Sequence, residues 1–299
     1  MRIRFMAHVF LPACLVLIFA LECDAQERQS FDDFAQRYQN LQKLPSDEGR
    51  IAESEAMSLA LVQHWENEPF NSAACAPLKD VLGFAEAGTG KDHIAVISWN
   101  VEISNQRQVY GGVVVYTSRK GEQMVELLRS KKVTSLRPTL DTKSRYTSKE
   151  WPGAVYYKAL ICYQGSRPVY TLLGWDGADN IRTRKIVETL TVSGNKVKFG
   201  VPIISAGRGT TKRYILEYSD QVSATLQWRE DMNMIVMDHL SPPRQELEGQ
   251  TAFYGPDMSY DGLVWKKGQW LLQPDIDVRD PEITSPWNNP KKLRRRGRN

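Results

Sequence analysis

Two apolar runs with strand-like alternation occupy the middle of the chain, in residues 154–177. One face of the first run is predicted to carry Tyr156, Lys158, Leu160 and Cys162. Both runs are rich in the aromatic and branched residues that pleated sheets accept. A short polar turn separates them, and its Gly165 can adopt a positive φ. We therefore predict a β-hairpin, and because both of its faces carry bulky groups we expect it near the centre of a sheet.

Similar alternation recurs on both sides of this hairpin. Residues 95–103 alternate with a period of two, residues 109–117 provide a partner strand, and residues 118–150 are predicted to form a loop and an edge strand. Further strand candidates cover residues 186–192, 197–204, 213–218, 224–228, 234–237, 251–254, 263–265 and 270–272. Short connections require antiparallel neighbours. The predicted fold class is mainly β (α+β by count), with an antiparallel meandering sheet as a sandwich or a partly closed barrel.

Two helices are predicted before the strands. Ser30 is a suitable N-cap for the first helix, which Pro45 ends, and Ser46 is a suitable N-cap for the second. Residues 84–92 are interpreted as a turn into the first strand. The predicted organisation is a signal peptide in residues 1–25, a helical segment in 26–92 that packs on the main domain, an antiparallel β domain in 93–286, and a basic disordered tail in 287–299.

The first residues have the order of a secretory signal peptide. Arg2 and Arg4 precede an apolar run, and Ala25 offers a small residue for cleavage. A lipoprotein signal acylated at Cys23 is the alternative, but Glu22 occupies a position where such sites require a small residue. The run is short for a membrane span, and no later segment is apolar enough to cross a bilayer. We expect a secreted or periplasmic protein.

The net charge of +4 is concentrated at the end of the chain. Six cations fall within the last nine residues: Lys291, Lys292, Arg294, Arg295, Arg296 and Arg298. Such a tail either keeps the protein in solution or attaches it to an anionic envelope surface or an acidic partner protein. Basic and aromatic residues are not interleaved in one patch, so we expect no nucleic-acid partner.

The cysteines and carboxylates do not show the spacing of a metal site. After signal cleavage only Cys75 and Cys162 remain, either as one disulfide bridge or as two buried thiols. Carboxylates gather at three predicted turns, around Asp176, Asp257 and Asp275. Calcium requires six to eight oxygen ligands, more than any one of these turns supplies. We expect neither a metal nor a cofactor.

The candidate site residues fall into a catalytic pair and a ligand-binding set. Asp238 and His239 are the candidates for acid–base chemistry, although adjacent strand residues point to opposite faces. The candidates for ligand binding are Trp175, Asp176, Tyr254, Asp257 and Asp261. Aromatic side chains on a sheet can bind sugars or a protein partner, while core packing explains most of them.

Seven segments carry a resemblance to a known family. They read AVYYKALICY, YTLLGWDG, RKIVETL, KRYILEYS, MIVMDHLSP, YGPDMSYDG and QPDIDVRD. In these segments the chain resembles a family of uncharacterised secreted proteins of Gram-negative bacteria. The resemblance implies a single envelope or extracellular domain, and the family offers no catalytic residues to transfer.

The sequence leads to two functional hypotheses. The first is a non-enzymatic binding or assembly protein of the bacterial cell envelope, with an envelope protein or an anionic envelope surface as its partner. It depends on the export signal, the β domain, the basic tail and the lack of a catalytic pattern. The alternative is a secreted hydrolase that uses His239 and a carboxylate.

Overall fold

The computed structural model describes residues 30–130 and 140–279. The predicted signal peptide and the predicted basic tail lie outside these ranges. Within them the chain is mainly β, with helices before the strands, as predicted. The helices are α1 (Phe31–Leu41), α2 (Asp47–Asn67) and the short α3 (Ala76–Lys79).

The strands follow in chain order and form three sheets. They are β1 (Gly83–Ala87), β2 (Ile94–Ile103), β3 (Arg107–Thr117), β4 (Gln123–Arg129), β5 (Tyr146–Thr147), β6 (Val155–Gln164), β7 (Arg167–Asp176), β8 (Arg182–Val192), β9 (Val197–Phe199), β10 (Ile204–Ser205), β11 (Arg213–Ser219), β12 (Leu226–Arg229), β13 (Met234–Ser241), β14 (Gly255–Lys266) and β15 (Gln269–Gln273). None of the three sheets in the described ranges closes into a barrel.

The first two helices begin where their capping residues predict. The Ser30 side chain accepts the backbone N–H of Asp33, and the Asp33 carboxylate accepts the backbone N–H of Ser30. Ser46 accepts the backbone N–H of Gly49 in the same way. These bonds satisfy amide groups that have no partner within the helix. The apolar faces of both helices pack on β2 and β3 around Trp65 and other buried side chains.

Sheet 1 has the strand order β1-β2-β3-β4 and is antiparallel. The predicted turn over residues 84–92 is wrong in its first part, because β1 extends to Ala87 and pairs with β2. This strand is difficult to recognise in the sequence because most of its residues are small. A Cβ at Gly83 would lie 2.7 Å from the Tyr156 carbonyl oxygen, so β1 is buried by close backbone approach and not by large side chains. β4 is the edge strand predicted within residues 118–150.

Sheet 2 has the order β5-β9-β8-β7-β6, and β11 also pairs with β8. The predicted hairpin is confirmed as β6 and β7, with Gln164 opposite Arg167. Gly165 has a φ of +63°, which suits a two-residue hairpin turn with glycine in the first position. The expected central placement holds for β7 only, since β6 lies at the edge of the sheet.

The predicted faces of β6 are wrong at Tyr156, because the strand contains a β-bulge. The register shifts between Tyr156 and Lys158, so Tyr156 packs between sheets 1 and 2 whereas Leu160 and Cys162 pack towards the third sheet (sheet 3), which contains β12 to β15. The extra residue of the bulge is Tyr157, whose hydroxyl donates to the Leu226 carbonyl of sheet 3 at 2.7 Å. One inserted residue therefore reverses the face on which Tyr156 was predicted.

Sheet 3 has the order β10-β15-β14-β13-β12, and β10 pairs with β15 in parallel. Two predicted strands differ from the observed ones. Residues 197–204 divide into β9 and β10, because Gly200 takes a φ of +92° between them. Residues 251–254 form no strand, since Thr251–Phe253 is a 3₁₀ turn and β14 begins at Gly255.

The molecule is a stack of helices, sheet 1, sheet 2 and sheet 3. Each interface between neighbouring layers holds its own apolar cluster. Cys75 lies in the cluster between the helices and sheet 1, and Cys162 lies in the cluster between sheets 2 and 3. Both thiols are buried and free, so of the two alternatives the structure has the unbridged one.

Candidate functional site

His239 lies on β13 at an irregularity in its pairing with β14. The register shifts between Asp238 and Leu240, and the imidazole remains 45% exposed. Its Nδ1 lies 2.9 Å from the Asp261 carboxylate, and its Nε2 lies 4.0 Å from the Asp257 carboxylate. Asp261 is buried and also accepts the backbone N–H of Asp275 at 3.1 Å. The structure therefore joins three of the predicted residues, His239, Asp257 and Asp261.

The surrounding carboxylates favour a protonated imidazole. The hydrogen bond with Asp261 raises the pKa of His239, and the charges of Asp257 and Asp275 act in the same direction. A raised pKa favours the protonated ring, whereas a general base must be neutral. Within the described residues His239 forms no hydrogen bond to a hydroxyl or a thiol. The arrangement suits a charged structural contact better than activation of a nucleophile.

Asp238 is not brought together with His239. Its carboxylate accepts the backbone N–H of Thr225 at 2.7 Å, and the residue is buried. Asp238 thus fixes the segment that leads into β12. Because neighbouring side chains of a strand point to opposite faces, the adjacent pair that the sequence offered does not form.

Trp175 and Asp176 lie at the end of β7 and have different environments. Trp175 is half-buried. The Asp176 carboxylate is buried and accepts three hydrogen bonds: from the Tyr110 hydroxyl at 2.7 Å, the Ala178 backbone N–H at 2.9 Å and the Arg184 guanidinium at 3.0 Å. The predicted role of Asp176 in the turn is present, and the carboxylate is already fully engaged within the protein.

Tyr254 supports a loop that forms one wall of a cleft. Its hydroxyl accepts the backbone N–H of Gly249 at 2.9 Å, and its carbonyl accepts the backbone N–H of Ser219 at 3.0 Å. These bonds hold the wall of a cleft of about 730 Å³ between residues 180–182, 219–221 and 249–253. Arg182 lines this cleft, but its guanidinium already contacts Asp179 and Glu217.

A different cleft, which sequence reasoning missed, lies at the mouth between sheets 2 and 3. It has a volume of about 570 Å³. Sheet 3 contributes Trp228, Trp265 and Trp270, β6 contributes residues 158–163, and β1 ends beside it at Ala87. We call it the tryptophan cleft. A signal for part of it exists in the sequence, because two tryptophans flank the turn that joins β14 and β15.

The three indoles of the tryptophan cleft have distinct roles. Trp270 is buried and donates its indole N–H to Thr171 at 2.8 Å. Trp228 and Trp265 are half-buried and pack on Trp270 at interplanar angles of 78° and 64°. Their indole nitrogens are not buried and have no hydrogen-bond partner within the described residues. Two aromatic faces and two donors are thus available to a ligand.

The charged side chain that lines the tryptophan cleft is a lysine. Lys158 forms no ion pair with any residue of the described ranges. Lys267 lies in the exposed turn that follows β14, and the Gln164 side chain donates to the Gly268 carbonyl of that turn at 3.0 Å. The cleft therefore presents apolar surface together with unpaired positive charge.

The remaining predictions concern metals, membranes and the tail. Within the described residues no group of three or more His, Cys, Asp or Glu side chains is placed to hold a metal ion. No helix of that part of the chain has both the length and the apolar character needed to cross a membrane. The six basic residues from Lys291 to Arg298 lie outside the described residues, and their role stays a prediction.

Comparisons of the chain with models of protein families, with curated proteins and with solved structures find no match. The geometry of the sites must therefore carry the functional argument.

Proposed function

We propose that the protein is a non-enzymatic binding or assembly protein of the bacterial cell envelope, and that the tryptophan cleft is its ligand site. The observation that carries this proposal is the exposure of Trp228 and Trp265. Half-buried indoles with free N–H groups are unusual in an interior but common in binding sites, where they supply contact area and a directed donor. Lys158 adds a charge for which the described residues provide no partner.

The envelope location is inferred from the first residues of the sequence. Arg2, Arg4, the apolar run and Ala25 together favour export. Cell fractionation followed by mass spectrometry of the mature N-terminus tests this part. A mature chain that begins at Gln26 in the periplasm or the medium supports it, and an unprocessed cytoplasmic chain contradicts it. Acylation at Cys23 would identify the lipoprotein alternative.

Ligand binding at the cleft is tested by intrinsic tryptophan fluorescence. Solubilised envelope fractions are titrated into the wild type, into Trp265→Ala and into Trp175→Ala. Trp175 is the matched control, because it is also half-buried but does not line the cleft. We expect a saturable change in emission in the wild type and the control that is lost in Trp265→Ala. Equal changes in all three proteins would place binding elsewhere, and no change with any fraction would refute the proposed site.

The basic tail is proposed as an electrostatic tether. Six cations near an anionic membrane contribute about 1 kcal/mol each at low salt, and this attraction weakens as the ionic strength rises. Deletion of residues 291–299 should lower sedimentation with vesicles that contain anionic lipid, while thermal stability is unchanged. Equal sedimentation of the intact and truncated proteins would leave the tail a solubilising role only.

The hydrolase alternative depends on the accessible His239–Asp261 pair. If His239 transfers protons to or from a substrate, His239→Asn should abolish turnover of a panel of chromogenic ester and glycoside substrates. The described residues provide no nucleophile for this role, because His239 forms no hydrogen bond to a hydroxyl or a thiol among them. Turnover by the wild type that is lost in the variant would establish the hydrolase and displace the binding proposal.

A further inference from the structure

We infer that the tryptophan cleft binds an acidic peptide segment in extended conformation, which adds as a strand to the outer edge of β6. The inference deepens the proposed function and rests on it. The structural reason is that the cleft follows six consecutive residues of an edge strand, residues 158–163. Side chains of a strand alternate between its faces, so consecutive residues line one cleft only where it runs along the strand edge.

The register of the hairpin shows which backbone groups point into this edge. Gln164 and Arg167 close a two-residue turn and form a hydrogen-bonded pair. Counting back along the ladder, the non-hydrogen-bonded positions of β6 are Tyr163, Ile161 and Ala159. Pro168 lies opposite Tyr163, as expected for a pair that exchanges no backbone bonds. The N–H and C=O groups of these three residues therefore point away from β7.

No strand of the described ranges pairs with this edge of β6. Accessibility rises along it, from Ala159 at 4% exposed, through the half-buried Ile161, to Tyr163 at 45%. β1 runs beside the first part of β6 and ends at Ala87. The open edge is thus the part nearest the turn, and it lies next to the tryptophans.

The occupant is identified by geometry and charge. An extended peptide can satisfy the outward N–H and C=O groups with its own backbone and place alternate side chains against the indoles. The residues that line the cleft include a lysine and no carboxylate, and Lys267 lies in the turn that follows β14. Acidic side chains that flank apolar ones match this surface, whereas a basic peptide would be repelled.

The test uses the full-length mature protein and a defined probe, the capped pentapeptide Glu-Thr-Phe-Thr-Glu, whose Glu and Phe side chains lie on one face of an extended strand. Two alternately N-methylated versions carry the methyl groups on the amides of the second and fourth residues, or of the third and fifth. Because a strand pairs through every second residue, only one of the two versions loses its bonds to β6. We expect that version to bind about tenfold more weakly than the other. Equal affinity of the two versions would overturn strand addition.

Two variants of the protein test the same strand edge by changing β6 instead of the peptide. Tyr163→Pro removes an outward N–H without removing a bond to β7, and Tyr163→Ala is the matched control that keeps the N–H. The proline variant should bind the pentapeptide more weakly than the alanine variant, with both folds checked by circular dichroism. Equal binding by two folded variants would contradict the inference. If the proline variant does not fold, the methylated peptides still decide the question.

Charge and ligand class are tested with further probes. Replacement of both Glu residues of the pentapeptide by Lys should abolish binding, and unchanged binding would refute the acidic preference. Binding of chitotriose or maltotriose in a Trp265-dependent way, without peptide binding, would overturn the peptide inference and leave the proposed ligand site standing. Absence of any Trp265-dependent ligand among peptides, saccharides and envelope fractions would remove both.

Discussion

The buried ion pair between Glu188 and Arg213 allows the sharpest test of the architecture. Glu188 is 1% exposed and Arg213 is 0% exposed. The Arg213 Nε donates to the Glu188 carboxylate at 2.8 Å, and its Nη1 donates to the carbonyl oxygens of Ser144 and Asp141. The guanidinium also lies 4.7 Å from the centre of the Tyr146 ring. This one side chain connects β8, β11 and the segment that leads into β5.

Removal of the carboxylate should be strongly destabilising. In Glu188→Gln the guanidinium stays buried without an opposite charge, and breaking a buried pair in this way costs about 3–5 kcal/mol of unfolding free energy. For a chain of this size that corresponds to a fall in Tm of roughly 10 °C. Urea denaturation measures the change in the free energy of unfolding, and we expect the m-value to be unchanged. Asp277→Asn is the control, because its pair with Arg279 is exposed, and its midpoint should match the wild type.

The companion variant Arg213→Met should show a pH dependence of defined sign. Burial raises the pKa of Glu188 above its ordinary value, and loss of the arginine raises it further. A carboxyl group with a raised pKa in the folded state favours folding at low pH and loses that contribution as the pH rises through the folded pKa. Arg213→Met should therefore recover stability as the pH falls from neutral towards 5.

The outcome that would contradict the Glu188→Gln prediction is a small loss of stability. If the free energy of unfolding falls by less than about 1 kcal/mol, the pair is hydrated and the reasoning is refuted.

Three further predictions concern single side chains. The hydrogen bond with Asp261 raises the pKa of His239 above 6.5, and NMR titration should show this raised pKa. The contribution of His239 to the free energy of unfolding is present at acidic pH and is lost as the pH rises through the folded-state pKa. His239→Gln should remove this pH dependence. Burial raises the pKa of Cys75 to about 11 and of Cys162 to about 12, so thiol reagents should modify both only after unfolding, and rapid labelling of the native protein would contradict this. Trp175→Ala should cost less than the roughly 3–5 kcal/mol typical of a fully buried tryptophan, because the indole is half-buried, and thermal denaturation measures the difference.

Local signals in the sequence were sufficient for the elements that local chemistry determines. Ser30 and Ser46 begin helices because their side chains satisfy free amide groups. The hairpin of β6 and β7 follows from alternation and from one glycine with positive φ. By contrast, β1 contains Gly83, Phe84 and alanines and has almost no apolar alternation, and its burial comes from how closely it packs against β6.

The sequence could predict the candidate site only in the part that the paired strands β13 and β14 form. Asp257 and Asp261 lie on β14, directly opposite the segment of β13 that carries His239, so the sequence grouped the correct types of residue. Alternation along β13 disfavours Asp238 as the partner of the histidine, but it does not identify Asp261 among the other carboxylates. That choice depends on the register shift between Asp238 and Leu240, a property of the paired strands that neither strand shows alone.

The tryptophan cleft was hidden for a related reason. Trp265 and Trp270 are cross-strand neighbours around a tight turn, which the sequence could have indicated, but Trp228 joins them only through the strand order of sheet 3. The positive charge at the cleft depends on the bulge at Tyr157. Because the bulge inserts one residue, Tyr156 turns into the core between sheets 1 and 2, and Lys158 takes the opposite face together with Leu160 and Cys162. The same irregularity that made the predicted faces wrong therefore gives the cleft its lysine, and with it the charge on which the preference for an acidic peptide depends.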